Sequence, residues 1–237
     1  MTNFWKIDKI LVTVRSPMTN TSITTLSKKR ILITLAIFIC TPLLAHLINI
    51  AVVQYDLSLM FSLNLGAAVM IMYNWNLFGI HYNRAKYNFI DTCIYSFIAF
   101  VLFTLWTYIS NRYLKCIVIM PRTEVLVRYG YARIGMLIAY SFSEASMLCI
   151  VGKCATDPLT IHHRELQVIL LSGISIGLLT TILFLPSKNL LTILITLLYN
   201  VVLCTILSYL YNQSNSFIPG LIGFAGSNLF FMIASLL

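Results

Sequence analysis

Seven apolar runs, each close to the roughly 20 residues that a helix needs to cross a bilayer, constrain the fold of this chain more than any other feature. Lipid offers no hydrogen-bond partner to the backbone N–H and C=O groups, and a helix pairs them within one segment. Each run therefore predicts a helix. The runs occupy residues 31–53, 57–80, 89–110, 131–151, 166–185, 189–211 and 216–236. The sequence therefore predicts an all-α fold, a polytopic membrane helix bundle of about seven transmembrane helices. Residues 31–237 form this single bundle, after a basic N-terminal tail of residues 1–30.

The composition and charge exclude a soluble protein. Only 10% of the residues are charged, against about a quarter in soluble domains. The net charge of +9 arises from basic residues in the tail and the loops, so it bears on membrane orientation and predicts no nucleic-acid partner. Six of these residues precede the first run: Lys6, Lys9, Arg15, Lys28, Lys29 and Arg30. We expect an integral, multi-pass protein with a cytoplasmic N-terminus, and the lipid bilayer is its first partner.

The loops carry few groups with recognisable chemistry. Segment 117–130 is too short and too charged to cross the membrane. His162 and His163 lie in the fourth loop without cysteine or carboxylate partners at ligand spacing, and the HExxH and P-loop motifs are absent from the sequence. We therefore expect neither a metal site nor a cofactor.

Among the ionisable residues in the apolar runs, three are functional candidates, because a charge inside a membrane is costly. They are His46, Asp91 and Glu144. Asp91, near the start of its run, is typical of an acid that reaches the interface. His46 has Asn49 one turn away on the same helix face, so it is either a neutral histidine bonded across helices or a polar cavity residue.

Glu144 lies in the middle of its run and is flanked by Ser141, Ser143 and Ser146. A carboxyl group at that depth must be protonated, paired, or in contact with water in a cavity. It is therefore either an acid bonded to a neighbouring helix or a functional group. Asn200 belongs to a stripe of small and polar residues with four-residue spacing, which lies on one helix face. The residues of this Asn200 stripe are Thr192, Thr196, Asn200, Cys204 and Ser208. This stripe is either a packing surface or the wall of a cavity opposite Glu144.

Small residues predict where helices approach closely. Gly173 and Gly177 form a G-x-x-x-G pair, and Gly223 and Ser227 form a second small pair four residues apart. Such pairs let two helix backbones come into contact in a membrane.

The C-terminal part of the chain carries a recognisable pattern. A polar turn is followed by Ser216, two apolar residues and Pro219, and the next helix carries Phe224 and Asn228 four residues apart. This pattern resembles the end of the CAAX protease and bacteriocin-processing family of glutamate-dependent intramembrane proteases, in which H-x-x-x-N follows such a turn. With two earlier positions, the resemblance covers a protease-like core of residues 131–237.

The two earlier positions are Glu144 and Thr180. Glu144, preceded by Ser143, stands where the family has the second glutamate of a Glu-Glu pair, and Thr180 stands where it has its next histidine. The resemblance implies that Glu144, Thr180, Phe224 and Asn228 converge on one intramembrane site. It also implies a bacterial cell membrane.

The resemblance implies the mechanism of this protease family. In that mechanism the glutamate activates a water molecule, while histidine and asparagine bind the water and stabilise the oxyanion. Here the first glutamate and both histidines are replaced, and threonine and phenylalanine cannot shuttle a proton near neutral pH. We therefore expect a non-catalytic protein that binds a membrane or envelope protein or peptide, with bacteriocin self-immunity as the specific form. Two alternatives stay open: an active intramembrane protease that uses Glu144, and a small transporter component whose buried polar groups line a path.

Overall fold

A computed structural model of the chain describes residues 13–15, 22–24, 26–52, 54–114, 132–160, 164–184 and 189–234. Most of the basic tail, segment 117–130, and both His162 and His163 lie outside the described residues.

Within these ranges the chain forms eight α-helices and two short strands. The strands, Thr13–Arg15 and Ser22–Thr24, pair antiparallel. The helices are α1 (Lys28–Val52), α2 (Tyr55–Tyr73), α3 (Trp75–Tyr87), α4 (Phe89–Ile109), α5 (Ala132–Leu159), α6 (Glu165–Phe184), α7 (Leu190–Ser214) and α8 (Ile218–Ala234). A π-helical turn, Ser110–Leu114, continues α4. The prediction of an all-α helix bundle is confirmed.

Six of the helices are long and apolar enough to cross a membrane. They are α1, α2, α4 with its π-turn, α5, α6 and α7. The apolar helix α8 has 17 residues, which is about 25 Å at 1.5 Å per residue. These seven helices correspond to the seven apolar runs, and the chain is a multi-pass membrane protein.

The second run, residues 57–80, is not one helix, and this corrects the prediction. The run is interrupted at Asn74, whose φ of −103° and ψ of 24° leave the helical conformation. The Asn74 side-chain amide donates to Thr34 Oγ1 on α1 at 3.2 Å and to the Met70 carbonyl at 3.0 Å. The side chain of Asn74 thus joins the last turn of α2 to α1 at the point where α2 ends and the separate helix α3 begins.

The fourth loop is also shorter than predicted, because α5 continues to Leu159. Lys153 and Asp157, which the sequence places in that loop, lie in the last two turns of α5 and are buried. Their side chains form an ion pair one helical turn apart. Each charge neutralises the other, so the helix can carry both of them into the bundle.

The helices form two hairpins, and both hairpins pack against α5. α1 packs against α2 and α6 against α7, while α8 lies between α4 and α5. α1 begins at the end of the bundle where α2 finishes, because the guanidinium of Arg30 lies over the Tyr73 ring at 5.8 Å. At the same end α6 begins and α7 finishes, because the amide of Asn212 donates to Glu165 at 2.7 Å. α3 also lies there, and we call this end of the bundle the α3 end.

The predicted small-residue contacts are confirmed. A Cβ atom added at Gly177 would lie 2.6 Å from the Cα of Val201 on α7, and one added at Gly173 would lie 2.8 Å from the Cα of Thr205. At Gly223 of α8 the added atom would lie 2.8 Å from the backbone nitrogen of Phe100 on α4. The backbones of these helix pairs are therefore in direct contact.

We predict that Gly177→Ala lowers the thermal stability of the detergent-solubilised protein. The new methyl group would strike the backbone of α7, and overpacking of this kind costs about 1–3 kcal/mol. The matched control is Gly79→Ala in α3, where an added Cβ atom meets nothing within 4 Å and the change from glycine favours the helix. Equal melting temperatures for Gly177→Ala and Gly79→Ala would contradict the close α6–α7 contact.

Candidate functional site

Glu144 forms a hydrogen bond with Asn228 across the centre of the bundle. The Asn228 side-chain amide on α8 donates to Glu144 Oε2 on α5 at 2.8 Å. The hydroxyl of Tyr140, one turn before Glu144, makes a second hydrogen bond to the carboxyl group. Asn228 and Tyr140 are both buried, so the pair joins α5 to α8 inside the core.

Glu144 also lines a small cavity between four helices. The cavity measures about 20 Å³ and is lined by Phe38, Leu63, Glu144, Met147, Leu148, Thr180 and Phe184. A space of this size holds about one water molecule. Glu144 is only partly buried, so its carboxyl group borders this space on one side and contacts Asn228 on the other.

The two positions that correspond to the family's histidines have different surroundings. Thr180 lines the same cavity as Glu144, but its hydroxyl donates to the Ile176 carbonyl of its own helix at 2.8 Å. Phe224 packs edge-to-face on Phe103 of α4, with ring centroids 5.2 Å apart, and is not among the residues that line the cavity. Glu144 therefore forms a hydrogen bond with Asn228 and shares a cavity with Thr180, while Phe224 packs against α4.

The other predicted site residues lie outside the cavity. Ser143 donates to Asn64 Oδ1 on α2 at 2.7 Å, and Asn200 donates to Thr181 Oγ1 on α6 at 2.9 Å. The Asn200 stripe therefore packs α7 on α6 and does not face Glu144.

The sequence left His46 as either a neutral histidine bonded across helices or a polar cavity residue, and the structure corrects the second alternative. Its side chain is exposed, with its ring 5.4 Å from that of Tyr55 near the α1–α2 turn. The physical reason is the orientation of α1, which buries a different face that includes Thr34, Phe38 and Ala45.

Residues 173–177 also match the G-x-S-x-G pattern of serine hydrolases. In those enzymes the serine lies on a sharp turn between a strand and a helix. Here Ser175 lies in the middle of α6, is exposed, and donates to the Leu171 carbonyl at 2.7 Å. The match therefore reflects the packing glycines and forms no nucleophile site.

A second polar cluster, at the α3 end of the bundle, was missed by sequence reasoning. Lys153 Nζ donates to both carboxylate oxygens of Asp157, at 2.8 and 3.0 Å, and to the Tyr211 hydroxyl on α7 at 2.7 Å. The backbone N–H of Leu26 also donates to Asp157. The i, i+4 spacing of the two charges was the available signal, but both residues follow the apolar run that ends at residue 151.

His81 of α3 lies beside this cluster. Its ring is 4.4 Å from that of Phe217 and 5.8 Å from that of Tyr211, and its side chain is fully buried. Neither ring nitrogen makes a well-aligned hydrogen bond within the described residues, and the backbone carbonyl of Asn215 lies close enough to favour the protonated ring. Burial, together with the positive charges of Lys153 and Arg84, lowers the pKa of His81 from 6.5 to about 2. The folded protein therefore holds this imidazole neutral.

No group of three metal-binding side chains lies together in the part of the chain that the structure describes. Comparison of the chain with protein-family models, with curated proteins and with solved structures finds no match in any of the three. The function therefore has to be argued from the two polar sites themselves.

We predict that Glu144→Leu destabilises the protein more than Glu144→Gln does. Glutamine can still accept a hydrogen bond from Asn228, whereas leucine leaves that amide without its partner. Membrane hydrogen bonds average about 0.6 kcal/mol in double-mutant cycles, so we expect partial destabilisation and no loss of the fold. A cycle of Glu144→Leu and Asn228→Leu, read by thermal unfolding, measures the coupling between the two residues. Strictly additive effects would contradict the bond.

We predict that the protein becomes less stable as the pH falls from about 7.5 to about 5, because the unfolded chain then binds a proton that folded His81 excludes. The stabilisation is complete above the unfolded pKa of 6.5 and is lost toward the folded pKa of about 2. At pH 5 the loss from His81 is on the order of 2 kcal/mol. His81→Phe should remove this part of the pH dependence of the melting temperature, whereas His46→Phe, the exposed control, should keep it. The same pH dependence in both variants would overturn the assignment.

Proposed function

We propose that this chain is a non-catalytic membrane protein with a CAAX-protease-like core, and that it acts by binding another membrane or envelope protein or peptide. The observation that carries the proposal is the 2.8 Å hydrogen bond between Asn228 and Glu144. These residues are 84 positions apart in the chain, and the resemblance to the proteases is the reason for expecting them together.

The surroundings of Glu144 support a role without catalysis. Activation of water requires a group that takes or gives a proton near neutral pH, and the two bonded partners of Glu144 are an amide and a phenol. The hydroxyl of Thr180 is held by its own helix, and Phe224 supplies only an aromatic ring. Five of the seven residues that line the cavity are apolar. Glu144 thus acts as an acceptor that fixes α8 to α5.

A binding partner has to be recognised from within or beside the membrane, because the described chain is almost entirely helix bundle. The proposal places the N-terminus in the cytoplasm of a bacterial cell. It is supported by the basic residues at the α3 end, where Lys28, Lys29, Lys86 and Arg164 are exposed, and cytoplasmic loops carry an excess of such residues. Self-immunity, by binding a bacteriocin or its receptor, is the specific role that the family resemblance suggests.

One observation favours a second candidate, an intramembrane hydrolase. The Glu144 carboxyl group borders a cavity with room for about one water molecule, and a carboxylate beside a water is the minimum that general-base catalysis needs. In this candidate Asn228 stabilises the developing oxyanion, and no histidine takes part.

A peptide-cleavage assay separates the two candidates. The full chain is reconstituted in lipid nanodiscs and incubated with a panel of peptides, including prenylated C-terminal CAAX peptides, and the products are identified by mass spectrometry. We expect no cleavage that depends on Glu144. The matched control is Glu165→Gln, the same chemical change at an exposed residue at the start of α6. Cleavage that is lost in Glu144→Gln and kept in Glu165→Gln would establish the hydrolase and refute the non-catalytic proposal.

The binding role has its own measurement. We expect proteins that co-purify with the wild-type chain from its native membrane to co-purify equally with Glu144→Gln, after correction for the amount of each variant. The amide keeps the shape of the carboxyl group and its bond to Asn228, so the binding surface is preserved. Absence of any specific partner for the wild-type chain, together with Glu144-dependent cleavage, would reject this role.

A further inference from the structure

The short helix α3 turns a face of aromatic and basic side chains away from the bundle. Trp75, Gly79, Tyr82 and Lys86 follow one another at spacings of four, three and four residues, so they share one helix face. All four are exposed, Trp75 to 64% and Tyr82 to 62%. We call these four residues the α3 outer face. Within the described residues no side chain covers its centre, because a Cβ atom added at Gly79 meets nothing within 4 Å.

The opposite face fixes α3 to the bundle. Leu77, His81 and Ala85 are buried at four-residue spacing. The Phe78 ring packs edge-to-face on Phe217 at 4.9 Å, and the Ser216 hydroxyl donates to the His81 carbonyl at 3.2 Å. α3 therefore lies against the turn between α7 and α8, and the direction of its outer face is fixed.

The length and the position of α3 place it at the membrane surface. It has 13 residues, which is about 20 Å at 1.5 Å per residue and too short for a span of about 30 Å. It connects α2 and α4, both of which are long and apolar enough to cross the membrane. A helix that joins two such spans at one end of the bundle lies near the headgroups, where tryptophan and tyrosine are enriched.

The charge around α3 is positive. Exposed basic residues at the α3 end are Lys28, Lys29, Lys86 and Arg164. The exposed acids of that end, within the described residues, are Asp91 and Glu165, and Glu165 accepts hydrogen bonds from Asn212 and Gln213. Asp157 is buried and paired with Lys153. An excess of exposed positive charge beside a bilayer attracts anionic lipid, at about 1 kcal/mol for each lysine near the surface.

We infer that α3 lies in the headgroup layer and that its outer face binds anionic phospholipid. Trp75 and Tyr82 lie at the level of the lipid carbonyl groups, with their rings in the apolar boundary and their polar atoms toward water. Lys86 pairs with the lipid phosphate. The bundle thereby gains a preferred lipid at the surface where α3 lies, independently of which protein partner it binds.

Tryptophan fluorescence tests this inference in the full chain. The protein is reconstituted in phosphatidylcholine vesicles that contain a minor fraction of brominated lipid, either phosphatidylglycerol or phosphatidylcholine. The signal of Trp75 is the difference between the wild-type protein and Trp75→Phe, which removes one of the three tryptophans. We expect brominated phosphatidylglycerol to quench Trp75 more strongly than brominated phosphatidylcholine does, and lipid brominated near the carbonyl group to quench it more than lipid brominated near the chain end.

The matched variants are Lys86→Gln and Arg112→Gln. Lys86→Gln removes the basic side chain at the far end of the α3 outer face, 11 residues or about 17 Å along the helix from Trp75. The preference of this face for phosphatidylglycerol should therefore fall, by up to about fivefold, the equivalent of 1 kcal/mol. Arg112 is exposed on the π-turn after α4, at the other end of the bundle, and Arg112→Gln should leave the preference unchanged. Equal quenching by the two lipids, or no quenching of Trp75 by either, would overturn the inference. Stronger quenching from the chain end would place α3 in the hydrocarbon and would overturn it as well.

Discussion

Lipid offers no hydrogen-bond partner, so a polar side chain inside this bundle has to find its partner on the same helix or on another one. Four of the hydrogen bonds that join helices illustrate this constraint: Asn228 with Glu144, Asn200 with Thr181, Ser172 with Ser208, and Ser143 with Asn64. Each bond links a different pair of helices or a different level of one pair. Between them they fix α5 to α8 and α2, and α6 to α7. The positions of these polar side chains therefore help to fix which helices are neighbours.

The two ionisable sites meet this constraint differently. Glu144 is matched by neutral donors at the centre of the bundle, where an amide and a phenol can hold a carboxyl group without a second charge. Lys153 and Asp157 instead neutralise each other at the α3 end, with Tyr211 closing the network from α7. A buried pair of this kind adds little net stability but is costly to break. Glu144 joins two helices in the core, whereas Lys153 and Asp157 join α5 to α7 at the α3 end of the bundle.

α3 connects the interior of the bundle to its surroundings. Its inner face brings His81 to the Lys153 cluster, and its outer face carries the exposed Trp75 and Tyr82. The neutral state of His81 depends on that buried position, because burial removes the water that would solvate a charged imidazole. The packing of one short helix thus governs both the titration of His81 and the surface that faces the headgroups.

The sequence alone determined the helices and their closest contacts, because long apolar runs in lipid leave helix as the only way to pair the backbone, and because glycine at four-residue spacing is a local pattern. The family resemblance also predicted that Glu144 and Asn228 lie close together, and they form a hydrogen bond. Tertiary structure decided the rest. At the helix break, the Asn74 side chain donates to Thr34 of another helix. The buried Lys153 contacts a carboxylate one turn away and a phenol on α7. The exposure of His46 depends on which face α1 turns to the bundle. Thr34, Tyr211 and the helices that α1 packs against lie elsewhere in the chain, and the local sequence does not encode their positions.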